Sequence, residues 1–319
     1  MAVISLQYKE VGASSQPFVS ICLLTYKRAA SLRQSLDSIL AQTYANWELI
    51  INDDCSPDET EQICHEYELK DSRIRYCRNS TNLRYARNQS AAIMRAQGEY
   101  VAILHDGDVY HPQLIEKWLN ALLRCPTAAL VFNGYSHLSH PRRTILPLRE
   151  CCPGRQMLDL VLSLGISPIW GIVMVRKAYV VAAGPFDERM PTIADVDMWF
   201  RLMLKHDVAY VPEILLTIAG RELDHPNKAS NWKIHAQEDT LWWLIGMRLY
   251  PPGHEMHSAM QKQVSLLIWR QNLICLAWCL VSLKLNAVFY GIVHCLTHAT
   301  RRKRVLRSYN IVIGTWPIV

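Results

Sequence analysis

Short apolar runs alternating with amphipathic stretches are the feature that most limits what this chain can become. Val19-Ser20-Ile21-Cys22-Leu23-Leu24, Trp47-Glu48-Leu49-Ile50-Ile51, Ile74-Arg75-Tyr76-Cys77, Tyr100-Val101-Ala102-Ile103-Leu104 and Ala128 to Phe132 read as buried strands. Between them the spacing predicts helices. Leu32, Leu36, Ile39 and Leu40 share one helical face, and Ser56-Pro57-Asp58-Glu59 offers a cap, a proline and early acids to a second helix. A third helix runs from about Tyr85 to Ala96, with Gly98 as its C-cap. Such alternation implies right-handed crossovers and a mostly parallel α/β sheet with flanking helices. Beyond it, residues 136–156 are rich in proline and arginine and predict a long loop, serving either substrate selection over the sheet's active edge or as a plain surface insertion. Ile169 to Val175 is a further strand, Lys177 to Ala183 a short helix, Ala194 to Leu202 a helix with two acids in its first turn, and Val208 to Val211 a last strand.

The most chemically loaded point is the turn Leu104-His105-Asp106-Gly107-Asp108. It follows a buried strand, where open α/β sheets place their ligands. Two carboxylates around a glycine suit a hard cation such as Mg2+ or Mn2+, which prefers oxygen donors and bridges to phosphate. A solvated surface turn is the other reading. G-x-G-x-x-G does not follow the first strand and G-x-x-x-x-G-K-[ST] occurs nowhere, which disfavours dinucleotide and P-loop enzymes.

Half of the 319 residues are hydrophobic and 19% are charged, enough for a sizeable core. The net charge of +6 gathers near Arg301-Arg302-Lys303-Arg304, too local for a nucleic-acid surface and better suited to solvation or an anionic membrane face. The chain divides into a leader over 1–16, an α/β domain over 17–230 and a tryptophan-rich helical extension over 231–319. In that extension Leu266 to Leu285 is apolar but interrupted by Arg270, Gln271, Asn272 and Lys284, so packing on the domain or lying in a membrane interface both fit better than spanning. The N-terminus lacks a basic start, an apolar run and a cleavage site, and the ten cysteines lack C-x-x-C spacing. The expectation is a cytoplasmic protein with reduced thiols, peripheral at the inner face of the membrane.

Six fragments in order resemble the family 2 glycosyltransferases of GT-A fold, over roughly Phe18 to Ser230. They are Thr25-Tyr26-Lys27-Arg28; the run from Leu40 through Gln42-Thr43-Tyr44, Trp47-Glu48-Leu49-Ile50-Ile51 and Asp53-Asp54 to Ser56, Asp58 and Thr60; Ala86-Arg87-Asn88; Gly98-Glu99-Tyr100-Val101 with the acidic turn; Gly184-Pro185-Phe186-Asp187-Glu188; and Asp195-x-Asp197-x-Trp199-x-Arg201. The chain departs from the pattern in three ways: His105 and Gly107 stand where acids are usual, the stretch from Asn82 to Arg87 is short and lacks its glycine, and Ala194 replaces the first acid of the pair ending at Asp195.

The resemblance implies an inverting transferase that moves a sugar from a nucleotide diphosphate sugar, UDP- or dTDP-linked, to a hydroxyl of a glycan or lipid-linked acceptor. It implies a metal cofactor, Mn2+ or Mg2+, and no nucleic-acid partner. Nucleotide contacts fall on Thr25, Tyr26, Arg28, Asp54 (Asp53 as runner-up), Arg87 (with Arg84 competing) and Asp106. Asp108 is the direct metal ligand, with Asp106 and His225 beside it. Asp195 is the general base, and Trp170, Gly171 and Asp197 mark the acceptor and donor-sugar region. Several have a structural alternative: a capping acid at Asp54, packing at Tyr26, a solvated arginine at Arg87, pairing with Arg201 at Asp197, and acids that merely favour the helix N-terminus at Asp195 and Asp197. The competing whole-chain readings are a catalytically silent GT-A-like binding or scaffold module and a sugar nucleotidyltransferase.

Overall fold

The computed structural model describes residues 16–138, 143–164, 167, 169, 171–190 and 193–219, with seven scattered positions between 253 and 266. The first half follows the alternation: β1 (Val19–Thr25), α1 (Ala29–Leu40), β2 (Trp47–Asp53), α2 (Thr60–Glu68), β3 (Ile74–Arg78), α3 (Arg84–Arg95) and β4 (Tyr100–His105). The second half contains β5 (Val109–Tyr110), α4 (Leu114–Arg124), β6 (Ala128–His137), β7 (Arg143–Thr144), β8 (Cys151–Cys152), α5 (Gly154–Leu164), β9 (Val173–Arg176), α6 (Lys177–Ala183), α7 (Ala194–Met203) and β10 (Asp207–Ile218). The helical extension expected over 231–319 lies outside the described residues apart from those scattered positions. Among the described residues no helix is long and apolar enough to cross a membrane.

One mixed sheet carries the order β3-β2-β1-β4-β9-β6-β10-β5, with β7 added to β6 and β8 to β10. The block β3-β2-β1-β4 is parallel, and β9 enters antiparallel between β4 and β6. All seven residues of β1 are buried. Because side chains alternate across a strand, Cys22 and Leu24 feed one core with α3, α5 and α7, while Val19, Ile21 and Leu23 feed the other with α1, α2 and α4. With both faces covered, the strand has no solvent side. That is why it reads as a continuous apolar run. β2 lies on one side of β1 and β4 on the other, so the chain reverses its direction of travel across the sheet at β1. The crevice at the carboxyl ends of these strands is therefore the ligand position of an open α/β sheet.

Several expectations change. The described part of residues 136–156 carries two short added strands rather than a bare loop, since β7 pairs with Tyr135 and Ser136 and β8 with Val208 and Ala209. α5 starts at Gly154, where Pro153-Gly154 had predicted more loop, and buries Met157, Leu158 and Val161. β10 runs through Pro212 because the register shifts between Val211 and Ile214, and a bulge tolerates the missing N–H. α2 begins at Thr60 with Asp58, not Ser56, accepting the Thr60 N–H at 3.3 Å. The thiols are not all reduced: Cys125 and Cys151 form a disulfide with Cα atoms 5.8 Å apart. α4 leads directly into β6, whose Ala128 pairs Asp207, while β8 pairs the adjoining Ala209, and this brings the two cysteines together.

Gly98 does not cap α3. That helix ends at Ala96 in extended conformation. A Cβ on Gly98 would sit 2.6 Å from the Phe18 carbonyl oxygen and 2.8 Å from the Ser20 nitrogen, so the glycine lets β4 start hard against β1. Gly98→Ala must therefore move backbone, and urea unfolding should show a loss of about 1–3 kcal/mol; unchanged stability would remove this account of the residue.

Candidate functional site

β1 ends in Thr25, and its last two carbonyls organise the crevice. The Leu24 oxygen accepts the Asp106 N–H at 3.2 Å from the β4 side, and the Thr25 oxygen accepts the Asp54 N–H at 3.0 Å from the β2 side. Both acidic turns are thus pinned to one strand end. The Tyr26 N–H then donates to Asp106 Oδ2 at 3.2 Å. The Thr25 hydroxyl is buried without a partner, while Tyr26 is exposed and Arg28 is half-buried at the start of α1.

The acidic turn is clamped from two further directions. Gln34 donates to the Gly107 carbonyl at 2.6 Å and Ser35 to the Asp108 carbonyl at 2.7 Å, both from α1. On the other side Asp108 Oδ1 accepts the Ala219 N–H at 3.0 Å, just past β10. Gly107 adopts φ 85°, the left-handed region glycine favours. Asp108 is 0% exposed, whereas Asp106 is only half-buried. Among the described residues no group of three His, Cys, Asp or Glu side chains forms a cation cage. What the turn offers is two hard carboxylates, a set that suits Mg2+ or Mn2+ when substrate phosphates and water complete the shell.

The second acidic pair can be weighed by counting lone pairs. A carboxylate has about four acceptor sites. Asp53 takes the Ser56 N–H and hydroxyl at 3.0 and 2.6 Å on Oδ1 and the Tyr76 hydroxyl at 2.7 Å on Oδ2, with Arg78 at 3.8 Å. Burial and this bond to Asp53 push the Tyr76 phenol well above its usual pKa. Asp53 is thereby committed to holding its own turn. Asp54 Oδ1 takes Leu83 N–H at 2.7 Å and Asn79 Nδ2 at 3.0 Å, and Oδ2 takes only Arg84 N–H at 2.9 Å. One acceptor site on Oδ2 remains. Asp53 also accepts three hydrogen bonds, but its Oδ2 faces the Arg78 guanidinium and it is 0% exposed, against 4% for Asp54, so of the two Asp54 is the better placed for a ligand donor.

Asp54 is held by a buried amide network. Asn88 Oδ1 accepts from Asn52 at 2.5 Å and from Asn79 at 2.7 Å, and Arg95 donates to both Asn52 and Asn79 Oδ1. Of Ala86-Arg87-Asn88, Ala86 and Asn88 are buried, and Asn88 is the polar one. Arg87, expected at the nucleotide, instead pairs with Glu188 at 2.6 Å, both side chains more than half exposed. The pair ties α3 to the turn after Gly184. Arg84 has φ 66°, and the other non-glycine residues with left-handed backbone among those described, Lys27 and Cys55, lie in the loops after β1 and β2. All three ring the crevice, as strain at functional sites tends to.

Asp195 stands in the first turn of α7, buried, and its Oδ2 accepts the Tyr85 hydroxyl at 3.1 Å. The same hydroxyl is 3.3 Å from His105 Nε2, and the two rings meet edge-on at 5.8 Å. A Cβ on Gly171 would lie 2.5 Å from Asp195 Oδ2 and 2.7 Å from both Tyr85 Oη and His105 Cε1. Asp197 turns elsewhere: it accepts from Arg201 Nε at 2.9 Å, while Arg201 also donates to the Ala183 and Pro185 carbonyls. That buried pair anchors α7 to the turn after α6. Trp170 and His225 lie outside the described residues. Sequence reasoning missed Tyr85, and treated His105 only as a substituted acid; a polar ring closing an otherwise apolar strand was the available signal.

The fold and crevice are those of a GT-A-type α/β transferase. Residues 20–179 match the family described as Glycosyl transferase family 2, and the chain belongs to that family. It is 28% identical over 236 residues to an uncharacterized glycosyltransferase of Rickettsia felis, covering 71% of this chain and 38% of that protein. It is 37% identical over 123 residues to the putative teichuronic acid biosynthesis glycosyltransferase TuaG of Bacillus subtilis, covering 38% of this chain and 48% of TuaG. The chain thus spans less than half the length of these two relatives. Among solved structures, S. aureus TarS 1-349 in complex with UDP-GlcNAc superposes with a TM-score of 0.60 at 14% identity, covering 78% of this chain and 71% of that one. The mannosyltransferase PcManGT of Pyrobaculum calidifontis, in complex with GDP-Man and Mn2+, gives 0.53 at 15% identity, covering 95% and 87%.

The amide network yields a test of how the crevice is held. Asn88→Ala leaves one buried N–H of each of the Asn52 and Asn79 amides without its acceptor, which should cost about 1–3 kcal/mol in chemical denaturation. A change within a few tenths of a kcal/mol would show that the network is not what fixes the turn before α3.

Proposed function

We propose that the protein transfers a sugar from a nucleotide diphosphate sugar, UDP- or dTDP-linked, to an acceptor hydroxyl on a glycan or glycolipid, with inversion at the anomeric carbon. The observation that carries the reading is the pairing of both acidic turns with the end of β1, which gathers Tyr26, Asp54 and Asp106 around one crevice. The complex of TarS with UDP-GlcNAc supports the donor class, and the teichuronic acid biosynthesis for which TuaG is named supports a surface-polysaccharide acceptor.

In this reading the open site on Asp54 Oδ2 accepts the base N3–H, an interaction that only an acceptor can make. Tyr26 and Thr25 line the base and ribose. Asp106 and Asp108 would hold Mn2+ or Mg2+, and Asp106, the less buried, would face the diphosphate. The ion, when bound, supplies Lewis-acid stabilisation of the departing diphosphate. The remaining work belongs to the chain. Asp195 takes the proton of the acceptor hydroxyl as that oxygen attacks the anomeric carbon. The bond from that carbon to the diphosphate oxygen breaks, and the nucleoside diphosphate leaves with the electron pair. One carboxylate acting opposite the leaving group gives inversion, by the logic of one-step glycosyl chemistry.

The test is release of nucleoside diphosphate from UDP-N-acetylglucosamine and other UDP- and dTDP-sugars, in Mn2+ and in chelator. Turnover should require the metal. Asp195→Asn should lower it by at least about 100-fold, the lower end of general-base contributions, with donor affinity retained. Wild-type turnover by Asp195→Asn would reject it as the base. Asp106→Ala should lose the metal requirement together with activity while staying folded; Asp108→Ala should in addition lose stability, because it strands the Ala219 N–H. An active, metal-responsive Asp106→Ala would reject the metal assignment.

A further inference from the structure

We infer that Tyr85 is the positioning residue for Asp195, and that Gly171 is a glycine so that the contact can form. The inference rests on the reading of Asp195 as base and adds two residues to it. A carboxylate can only accept and a phenol has a single proton, so the Tyr85 hydroxyl donates to Asp195 Oδ2 across 3.1 Å. Its oxygen is then left to accept, which sets the direction of the contact with His105 Nε2 at 3.3 Å: the imidazole nitrogen donates and the tyrosine receives. The single phenolic proton is thereby directed at the carboxylate. With Oδ1 accepting the Val196 N–H at 2.9 Å, both oxygens are fixed and the plane of the carboxylate is set.

Four separate elements meet here: α3 brings Tyr85, β4 brings His105, α7 brings Asp195, and the residues leading into β9 bring Gly171. The crowding at Gly171 is unlike that at Gly98. Its hypothetical Cβ meets three side-chain ends, Asp195 Oδ2, Tyr85 Oη and His105 Cε1, rather than backbone. Side-chain ends can give way while the fold stays, so a methyl group at residue 171 would push the three functional atoms apart without unfolding the protein. Tyr85 follows directly on Arg84, the first residue of α3, whose N–H donates to Asp54, so base and nucleotide contacts share one rigid element.

The test compares Tyr85→Phe, Gly171→Ala and Asp195→Asn in the full chain, using metal-dependent UDP release from UDP-N-acetylglucosamine. Losing one hydrogen bond to a charged group should lower kcat roughly 10- to 100-fold in Tyr85→Phe. Donor KM and the thermal midpoint should stay near wild type, a split that a purely structural tyrosine would not give. Gly171→Ala should show the same split. In the Asp195→Asn background, Tyr85→Phe should cost nothing more. If Asp195→Asn is inactive while Tyr85→Phe and Gly171→Ala turn over at the wild-type rate, or if Tyr85→Phe raises KM with kcat unchanged, the inference is overturned and the base assignment stands. If wild type turns over no donor, or Asp195→Asn is as active as wild type, the functional reading beneath it fails instead.

Discussion

Two backbone hydrogen bonds at the end of β1 decide where everything else in the crevice can go. Leu24 receives the N–H of Asp106 and Thr25 receives that of Asp54, so a single strand terminus holds both acidic turns. The arrangement follows from register. In the parallel ladders Thr25 faces Asp53 and Leu24 faces His105, which makes three strand ends finish level. Because β1 is buried on both faces, a slip of one residue would send apolar side chains into the wrong core, and register is strongly specified. The placement of the acids is thus a consequence of core packing. Local turn chemistry only refines it.

The refinement is nonetheless expensive in conformational terms. Lys27, Cys55 and Arg84 hold left-handed backbone, a conformation that costs an L-residue roughly 1–2 kcal/mol, and all three border the crevice. Each of Lys27 and Arg84 is compensated nearby: Ser56 accepts the Lys27 N–H at 3.0 Å, and Asp54 accepts the Arg84 N–H at 2.9 Å. The buried network of Asn52, Asn79, Asn88 and Arg95 backs this from beneath, and the Asp197–Arg201 pair does the same for α7. Polar groups therefore fall into two kinds. Asn88 and Asp197 bond inside the protein and Asp53 is enclosed by Ser56, Tyr76 and Arg78, whereas Asp54 keeps slight exposure and Asp106 is only half-buried.

The parallel half of the fold was legible because strands covered on both faces announce themselves as apolar runs, and the helices between them show a 3.6-residue stripe. The second half was less so. Pro153-Gly154 looks like a loop but opens α5, and Pro212 looks like a strand end but sits at a bulge, because in both places tertiary pairing overrides the local signal. Gly98 shows the same limit: its chemistry lies in a contact with Phe18 and Ser20, far away in sequence. In the crevice, the acidic turn and Asp195 could be found from residue type and order. Which acid of Asp53-Asp54 is the less enclosed could not, nor could the roles of Tyr85 and Gly171, since these depend on burial and on distances between segments far apart in sequence.

The most direct test is calorimetric binding of UDP-, dTDP- and GDP-sugars, with and without Mn2+, to the wild-type chain and to Asp106→Ala. One nucleotide class should bind the wild type with marked metal dependence, and that dependence should vanish in Asp106→Ala. No binding of any class, or equal affinity with and without the metal, would contradict the account of a crevice organised at the end of β1 for a metal-bridged nucleotide sugar.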